Sequence, residues 1–164
     1  MAIRRGVITL LTAILAVFTI VMTATLAQAA TFHPVKNWGN NKCLDVATQN
    51  NYLVQLWKCS NAAEQQWWTT DLGGGAIALR NNRTQGCLGV DGHSTAAQAR
   101  VVSQPCGTVS TSWRIIFNNF GGQQLRNENS QLCLDLQENA ATTRTIDRRC
   151  KNEPDQHCNI RSCR

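Results

Sequence analysis

The sequence predicts an all-β chain closed into a pseudo-symmetric barrel and stapled by disulfides, and three observations carry the prediction. One frame of residues occurs three times. The predicted strands are short and separated by glycine turns, with no amphipathic helix of useful length. Eight cysteines fall within the repeats. A chain of short, threefold-repeated strands removes its exposed edges by closing on itself.

The frame reads Cys43-Leu44-Asp45-Val46, then Gln55-Leu56-Trp57-Lys58-Cys59, then Gln65-Gln66-Trp67. It recurs as Cys87-Leu88-Gly89-Val90 with Cys106 and Trp113, and as Cys133-Leu134-Asp135-Leu136 with Cys150 and Gln156-His157-Cys158. The first cysteines lie 44 and 46 residues apart, the paired ones 16, 19 and 17 apart, and the third landmark 8, 7 and 8 further on. Val35-Lys36-Asn37, Leu79-Arg80-Asn81 and Leu125-Arg126-Asn127 each begin 8 residues before their cysteine. Drift this small marks one supersecondary unit used three times.

Taken in order, Arg4 and Arg5 precede an apolar run from Val7 to Met22, and Ala27-Gln28-Ala29 follows as a small-x-small cleavage pattern. Residues 1–29 therefore read as a secretory signal peptide, with cleavage after Ala29 or Ala30. The competing membrane anchor needs about 20 apolar residues and a charged stop, and the segment has neither. No later segment is expected to span a bilayer. Export agrees with a disulfide framework. Equivalent positions should form equivalent bonds: Cys43–Cys59, Cys87–Cys106 and Cys133–Cys150, each worth roughly 3 kcal/mol by chain entropy. Cys158–Cys163 is the simplest completion. A zinc site is disfavoured, since no Cys-x-x-Cys pair is present.

Strands are expected around Val35 and over Cys43–Val46, Leu53–Lys58, Trp67–Thr69, Ile77–Arg80, Trp113–Phe117 and Cys133–Leu136. Gly73-Gly74-Gly75 and Gly121-Gly122 mark the junctions between copies. The formal charge is +6, and losing two of 16 basic residues with the signal, against 10 acidic ones, leaves +4. The positive residues are scattered apart from Arg144, Arg148, Arg149 and Lys151, which suits a solvated face better than a nucleic-acid surface.

In the stretch Val54 to Lys58, alternation puts Val54 and Leu56 on one face and Gln55 and Trp57 on the other. The aliphatic face is the core face, so Trp57 should look outward. An exposed indole beside a carboxylate and amides is what a sugar requires. The ring covers the C–H face of a pyranose, the carboxylate accepts from two hydroxyls, and amides both donate and accept. Asp45 can alternatively cap a turn, and Gln65 can hold backbone groups in the core. Trp67 and Trp113 are core residues. Trp38 and Trp68 have no evident place.

At Cys-Leu-Asp-Val, Gln-Leu-Trp-x-Cys and Gln-x-Trp, the sequence resembles the ricin B-type lectins over residues 31 to 164. The resemblance implies a β-trefoil with lobes at about 31–73, 74–120 and 121–164, each able to carry one shallow sugar site. Carried over residue by residue, the first site comprises Asp45, Gln55, Trp57 and Gln65. Glu64 stands where the family often has asparagine; it accepts a hydroxyl hydrogen bond but donates only when protonated. In the second lobe Gly89, Gln104 and Thr111 replace Asp45, Trp57 and Gln65, so that site should be dead. The third keeps Asp135 and Gln156, with Asp155 adjacent, but has no aromatic in 146–150, where Arg148 is a poorer platform. It is expected to be weak or inactive.

The implied function is that of a secreted, non-catalytic protein binding glycans or polysaccharides of galactose or pentose type. It implies no cofactor, no metal, no nucleic acid and no membrane insertion after signal cleavage. A trefoil protease inhibitor is a second class, and needs a protruding rigid loop that the sequence does not offer. An enzyme is a third: His33, His93 and His157 lie in no nucleophile or metal motif, and in the first lobe Asp45 with Glu64 is the one carboxyl pair to propose for a glycosidase, better read as substitution within a binding site. Asn82-Arg83-Thr84 is an N-glycosylation sequon.

Overall fold

Each copy folds alike because its apolar residues recur at matching positions. The computed structural model describes residues 31–50, 52–117, 122–139, 142–151 and 153–160, with side chains described except for 137–148 and 155. The first copy forms β1 (His33–Pro34), β2 (Lys36–Asn37), β3 (Cys43–Val46), β4 (Val54–Trp57), a 3₁₀ turn at Ala63–Gln65 and β5 (Gln66–Gly73). The second forms β6 (Ala76–Asn81), β7 (Cys87–Val90), a turn at Asp91–His93, β8 (Val101–Gln104), a turn at Val109–Thr111 and β9 (Trp113–Phe117). The third forms β10 (Gln123–Asn127), β11 (Cys133–Asn139), β12 (Thr142–Arg148), a turn at Pro154–Gln156 and β13 (Cys158–Asn159).

The pairing closes on itself. From β1 it runs through β5, β6, β9, β10 and β13 to β2, and β1 and β2 are separated only by Val35, two halves of one bent strand. Three hairpins, β3–β4, β7–β8 and β11–β12, hang from this ring through Lys36↔Cys43, Arg80↔Cys87 and Arg126↔Cys133. A six-stranded antiparallel ring carrying three equivalent hairpins is a β-trefoil, as expected.

Leu44, Leu88 and Leu134 from the hairpins and Val35, Leu79 and Leu125 from the ring meet in one buried cluster. Trp67 and Trp113 lie in it, and their indole N–H groups donate to the Leu44 and Leu88 carbonyls at 2.9 and 2.8 Å. These bonds satisfy buried polar groups that would otherwise cost about 1–3 kcal/mol each. Asn37, Asn81 and Asn127 are buried where each copy turns toward its hairpin, their side-chain oxygens accepting backbone N–H groups of the turn at 3.0–3.2 Å. Two residues before each first cysteine, Asn41, Gln85 and Gln131 all adopt positive φ. The three bonds assigned by equivalence, Cys43–Cys59, Cys87–Cys106 and Cys133–Cys150, are present.

The expected Cys158–Cys163 bond is a correction: Cys158 carries a free, buried thiol. It occupies the place of Trp67 and Trp113 in the third copy and packs into the core cluster, so its sulfur faces the barrel interior. Cys163 lies outside the described residues, as does the expected signal peptide at 1–29. Among the described residues no helix is long and apolar enough to cross a membrane. Cys87–Val90, Val101–Gln104, Gln123–Asn127 and Thr142–Arg148 are strands in addition to those expected. Gly89 and the polar residues of β10 have little strand propensity of their own and are held by ladder pairing within the repeat, whereas β8 and β12 open on the β-branched pairs Val101-Val102 and Thr142-Thr143, which favour a strand.

Candidate functional site

Along β3, Leu44 and Val46 enter the core, and Asp45 faces the other way, toward β4 and the Ala63–Gln65 turn. Register places Asp45 opposite Gln55 and Cys43 opposite Trp57. The expected faces of β4 hold: Val54 and Leu56 are buried, Gln55 is partly exposed, and Trp57 is 58% exposed. Trp57 stands two residues beyond Gln55 on the same face, about 7 Å along the strand.

Asp45 is only 4% exposed. Gln55 Nε2 donates to its Oδ1 at 2.8 Å, and Gln65 Nε2 to its Oδ2 at 3.1 Å. Gln65 also donates to the Lys58 carbonyl at 3.0 Å, and its Oε1 accepts from the Ser60 N–H at 2.7 Å and the Ser60 hydroxyl at 3.3 Å. Both donors and both acceptor positions of this amide are thus engaged, and Gln65 is 1% exposed. The hydrogen-bonding positions of Gln65 are therefore taken up by protein groups. The amide fixes Asp45, and of the two readings its sequence allowed, the backbone-holding one describes its geometry. The Asp45 carboxylate retains one further acceptor position on each oxygen.

Burial pushes the Asp45 carboxyl above its ordinary value; the Gln55 and Gln65 bonds pull it back in part, Glu64 adds to the rise and Arg83 opposes it. Glu64 is half-buried at the edge of the site, its Oε2 3.8 Å from Arg83 Nη1. Ser60 and Arg83 were not picked out from the sequence. Ser60 acts largely through its backbone, which leaves no residue signature. Arg83 belongs to the next copy, and its proximity emerges only from the closed ring.

The second copy has filled its own site. Gln104 Nε2 donates to Ser110 Oγ at 2.6 Å and Thr108 Oγ1 at 3.3 Å, and Ser110 also bonds His93 Nδ1 at 2.8 Å. A Cβ at Gly89 would lie 2.1 Å from Gln104 Nε2, so this amide occupies the space a carboxylate side chain would need. Thr111 is buried and donates to the Thr108 carbonyl at 2.8 Å.

The third copy repeats the clamp of the first. Gln156 Nε2 donates to Asp135 Oδ2 at 3.2 Å and the Arg149 carbonyl at 3.0 Å, while its Oε1 accepts from the Lys151 N–H at 2.6 Å. Asp135 is completely buried, however, and Ile146 stands opposite it where Asp45 faces Gln55. The side chains of Asp155 and Arg148 lie outside the described residues. Of the unassigned tryptophans, Trp38 is exposed and meets the His157 ring edge-on at 5.9 Å, and Trp68 meets Phe32 at 6.3 Å. Neither joins the Asp45 cluster.

The ricin-type β-trefoil lectin domain model matches residues 31–157. A ribosome-inactivating protein of Polygonatum multiflorum, PMRIPt, is 30% identical over 104 residues, which is 63% of this chain and 16% of that relative. The chain thus spans about a sixth of that relative's length. Among solved structures, the designed threefold-symmetric protein ThreeFoil superposes with a TM-score of 0.72 at 22% identity, over 77% of this chain and 95% of that one. The Macrolepiota procera ricin B-like lectin, solved in complex with lactose, superposes with a TM-score of 0.66 at 18% identity, over 82% of this chain and 96% of the lectin.

Proposed function

The chain belongs to the ricin-type β-trefoil lectin domain family, and from that premise we propose a secreted, non-catalytic carbohydrate-binding protein whose working site is Asp45 with Trp57. The observation that carries the proposal is a carboxylate held by two amides on the same hairpin face as an outward indole. Such a pair suits one pyranose edge and one pyranose face at once. The open acceptor positions of Asp45 take hydrogen bonds from two neighbouring hydroxyls. Because the carboxylate is already largely desolvated, a sugar displaces little of its water. Trp57 covers the C–H face, and Gln55, with a second N–H and its carbonyl oxygen still to use, suits a hydroxyl that donates and accepts. Glu64 lies at the rim as a further acceptor.

Galactose-type or pentose-type glycans are the class proposed, by analogy with the family, and secretion is supported by the three disulfides. The second copy has neither a carboxylate nor an exposed aromatic at the matching positions. The third is proposed to be weak, because it has no aromatic in 146–150 and isoleucine stands at the register position opposite Asp135 where Asp45 has Gln55. A glycan array probed with the secreted protein tests this. Binding to galactose- or arabinose-terminated glycans, lost in Asp45→Ala, is expected. Binding to none, or binding indifferent to Asp45→Ala, refutes it.

A further inference from the structure

The first copy's cluster does not end at the boundary of that copy. Asn81 Nδ2, at the start of the second copy's turn, donates to the Glu64 carbonyl at 2.8 Å, and the Asn82 N–H donates to the Gln66 carbonyl at 2.8 Å. The same asparagine accepts from the Arg83 and Thr84 N–H groups, so one buried side chain shapes the turn and fastens it to the segment carrying Glu64 and Gln65. This crossing recurs. Asn127 Nδ2 donates to the Ser110 carbonyl at 2.8 Å, the Glu128 N–H to the Ser112 carbonyl at 2.9 Å, and Asn129, which matches Arg83, reaches the His93 carbonyl at 3.1 Å. The residue two beyond the asparagine reaches back over the preceding copy in both cases.

Resting on the reading of Asp45 and Trp57 as a sugar site, we propose that Arg83 is a positioning residue of that site, holding the Glu64 carboxylate at the rim as an acceptor for a further sugar hydroxyl. The guanidinium is 3.8 Å from Glu64, and the two side chains are 41% and 20% exposed, which leaves the pair within reach of a ligand. The charged and polar groups that act on Asp45 are Gln55 from β4, Gln65 and Glu64 from the Ala63–Gln65 turn, and Arg83 from the turn after β6. Of these, Glu64 raises the Asp45 carboxyl and Arg83 lowers it, so the guanidinium offsets the neighbouring negative charge at the rim. Asp45, Glu64 and Arg83 together carry one net negative charge, so neutral sugars rather than anionic ones are the class admitted.

Two measurements on the secreted protein test this. Carboxyl-carbon NMR titration should show the Asp45 midpoint rising in Arg83→Ala, returning in Arg83→Lys, and falling in Arg83→Ala/Glu64→Gln. Lactose titration at pH 7 should weaken about fivefold in Arg83→Ala, a loss typical of one ordinary net hydrogen bond. Its acid limb should move to higher pH, and Arg83→Ala should add no further loss in a Glu64→Gln background. An unmoved Asp45 midpoint overturns the proposal, and so does an equal loss in both backgrounds. If the wild type takes up no lactose, the galactose reading fails instead, and the NMR midpoints decide the role of Arg83 alone.

Discussion

Replacing Trp67 with alanine removes an indole that is 2% exposed and fully enclosed by the barrel. Truncating a buried tryptophan costs about 3–5 kcal/mol through lost transfer energy and the cavity left behind. The Leu44 carbonyl, which accepts the indole N–H at 2.9 Å, is stranded as well, adding about 1 kcal/mol or more. The expected loss is therefore about 4–6 kcal/mol. Trp57 gives the internal comparison. With 58% of it exposed, somewhat under half of an aromatic's 150–250 Å² is covered, worth at most about 2.6 kcal/mol at 25 cal/mol/Å². Residual burial in the unfolded chain and the alanine methyl reduce that to roughly 1 kcal/mol. Guanidinium melts followed by far-ultraviolet circular dichroism measure both. Trp67→Phe, which keeps most of the ring and loses the donor, should fall between wild type and Trp67→Ala, and it serves if the alanine variant does not fold. Equal losses for Trp57→Ala and Trp67→Ala would mean that the faces of β4 and β5 have been misassigned.

Three further outcomes are expected. Non-reducing peptide mapping should recover Cys43–Cys59, Cys87–Cys106 and Cys133–Cys150, while Cys158, whose thiol is pushed up to about 12 by burial, should resist alkylation at pH 8 until the protein is denatured. Burial raises the Asp45 carboxyl in the folded state, so the native protein binds more protons than the unfolded chain, and this contribution to stability is lost as pH rises through the folded value. Asp45→Asn should then be at least as stable as wild type at pH 7, with a flatter pH profile and no sugar binding; its carbonyl oxygen can face Gln65 while Gln55 turns to accept. Gly89→Ala should cost about 1–3 kcal/mol in a thermal or denaturant melt, because the new methyl drives Gln104 off Ser110 without restoring a carboxylate.

The fold was legible because repetition multiplies weak signals. No single Gln-x-Trp or Cys-Leu-Asp-Val is informative, but three ordered copies specify which cysteines pair and which tryptophans are buried. The outward face of Trp57 followed from alternation along Val54–Lys58. What the sequence hid is what arises between copies. Gly89 in β7 and the polar residues of β10 owe their strand geometry to partners, not to propensity. Arg83 sits beside Glu64 only because Asn81 anchors its turn across the boundary. The free Cys158 could not be foreseen from cysteine parity, since an even count says nothing about which sulfur faces the core. That the Gln65 amide is taken up by protein groups was not legible, because a saturated amide and a ligand-facing one have the same letter in the sequence.

The most direct measurement is titration calorimetry of the secreted protein with lactose, repeated on Asp45→Ala, Trp57→Ala and Asp135→Ala. A shallow site exchanging water bonds for protein bonds gains little per bond, so an affinity near the millimolar level, about −4 kcal/mol, is expected. About one site per chain should be counted, abolished by Asp45→Ala or Trp57→Ala and little changed by Asp135→Ala. Binding that vanishes in Asp135→Ala and survives in Asp45→Ala would put the working site in the third copy and contradict the role given to Trp57.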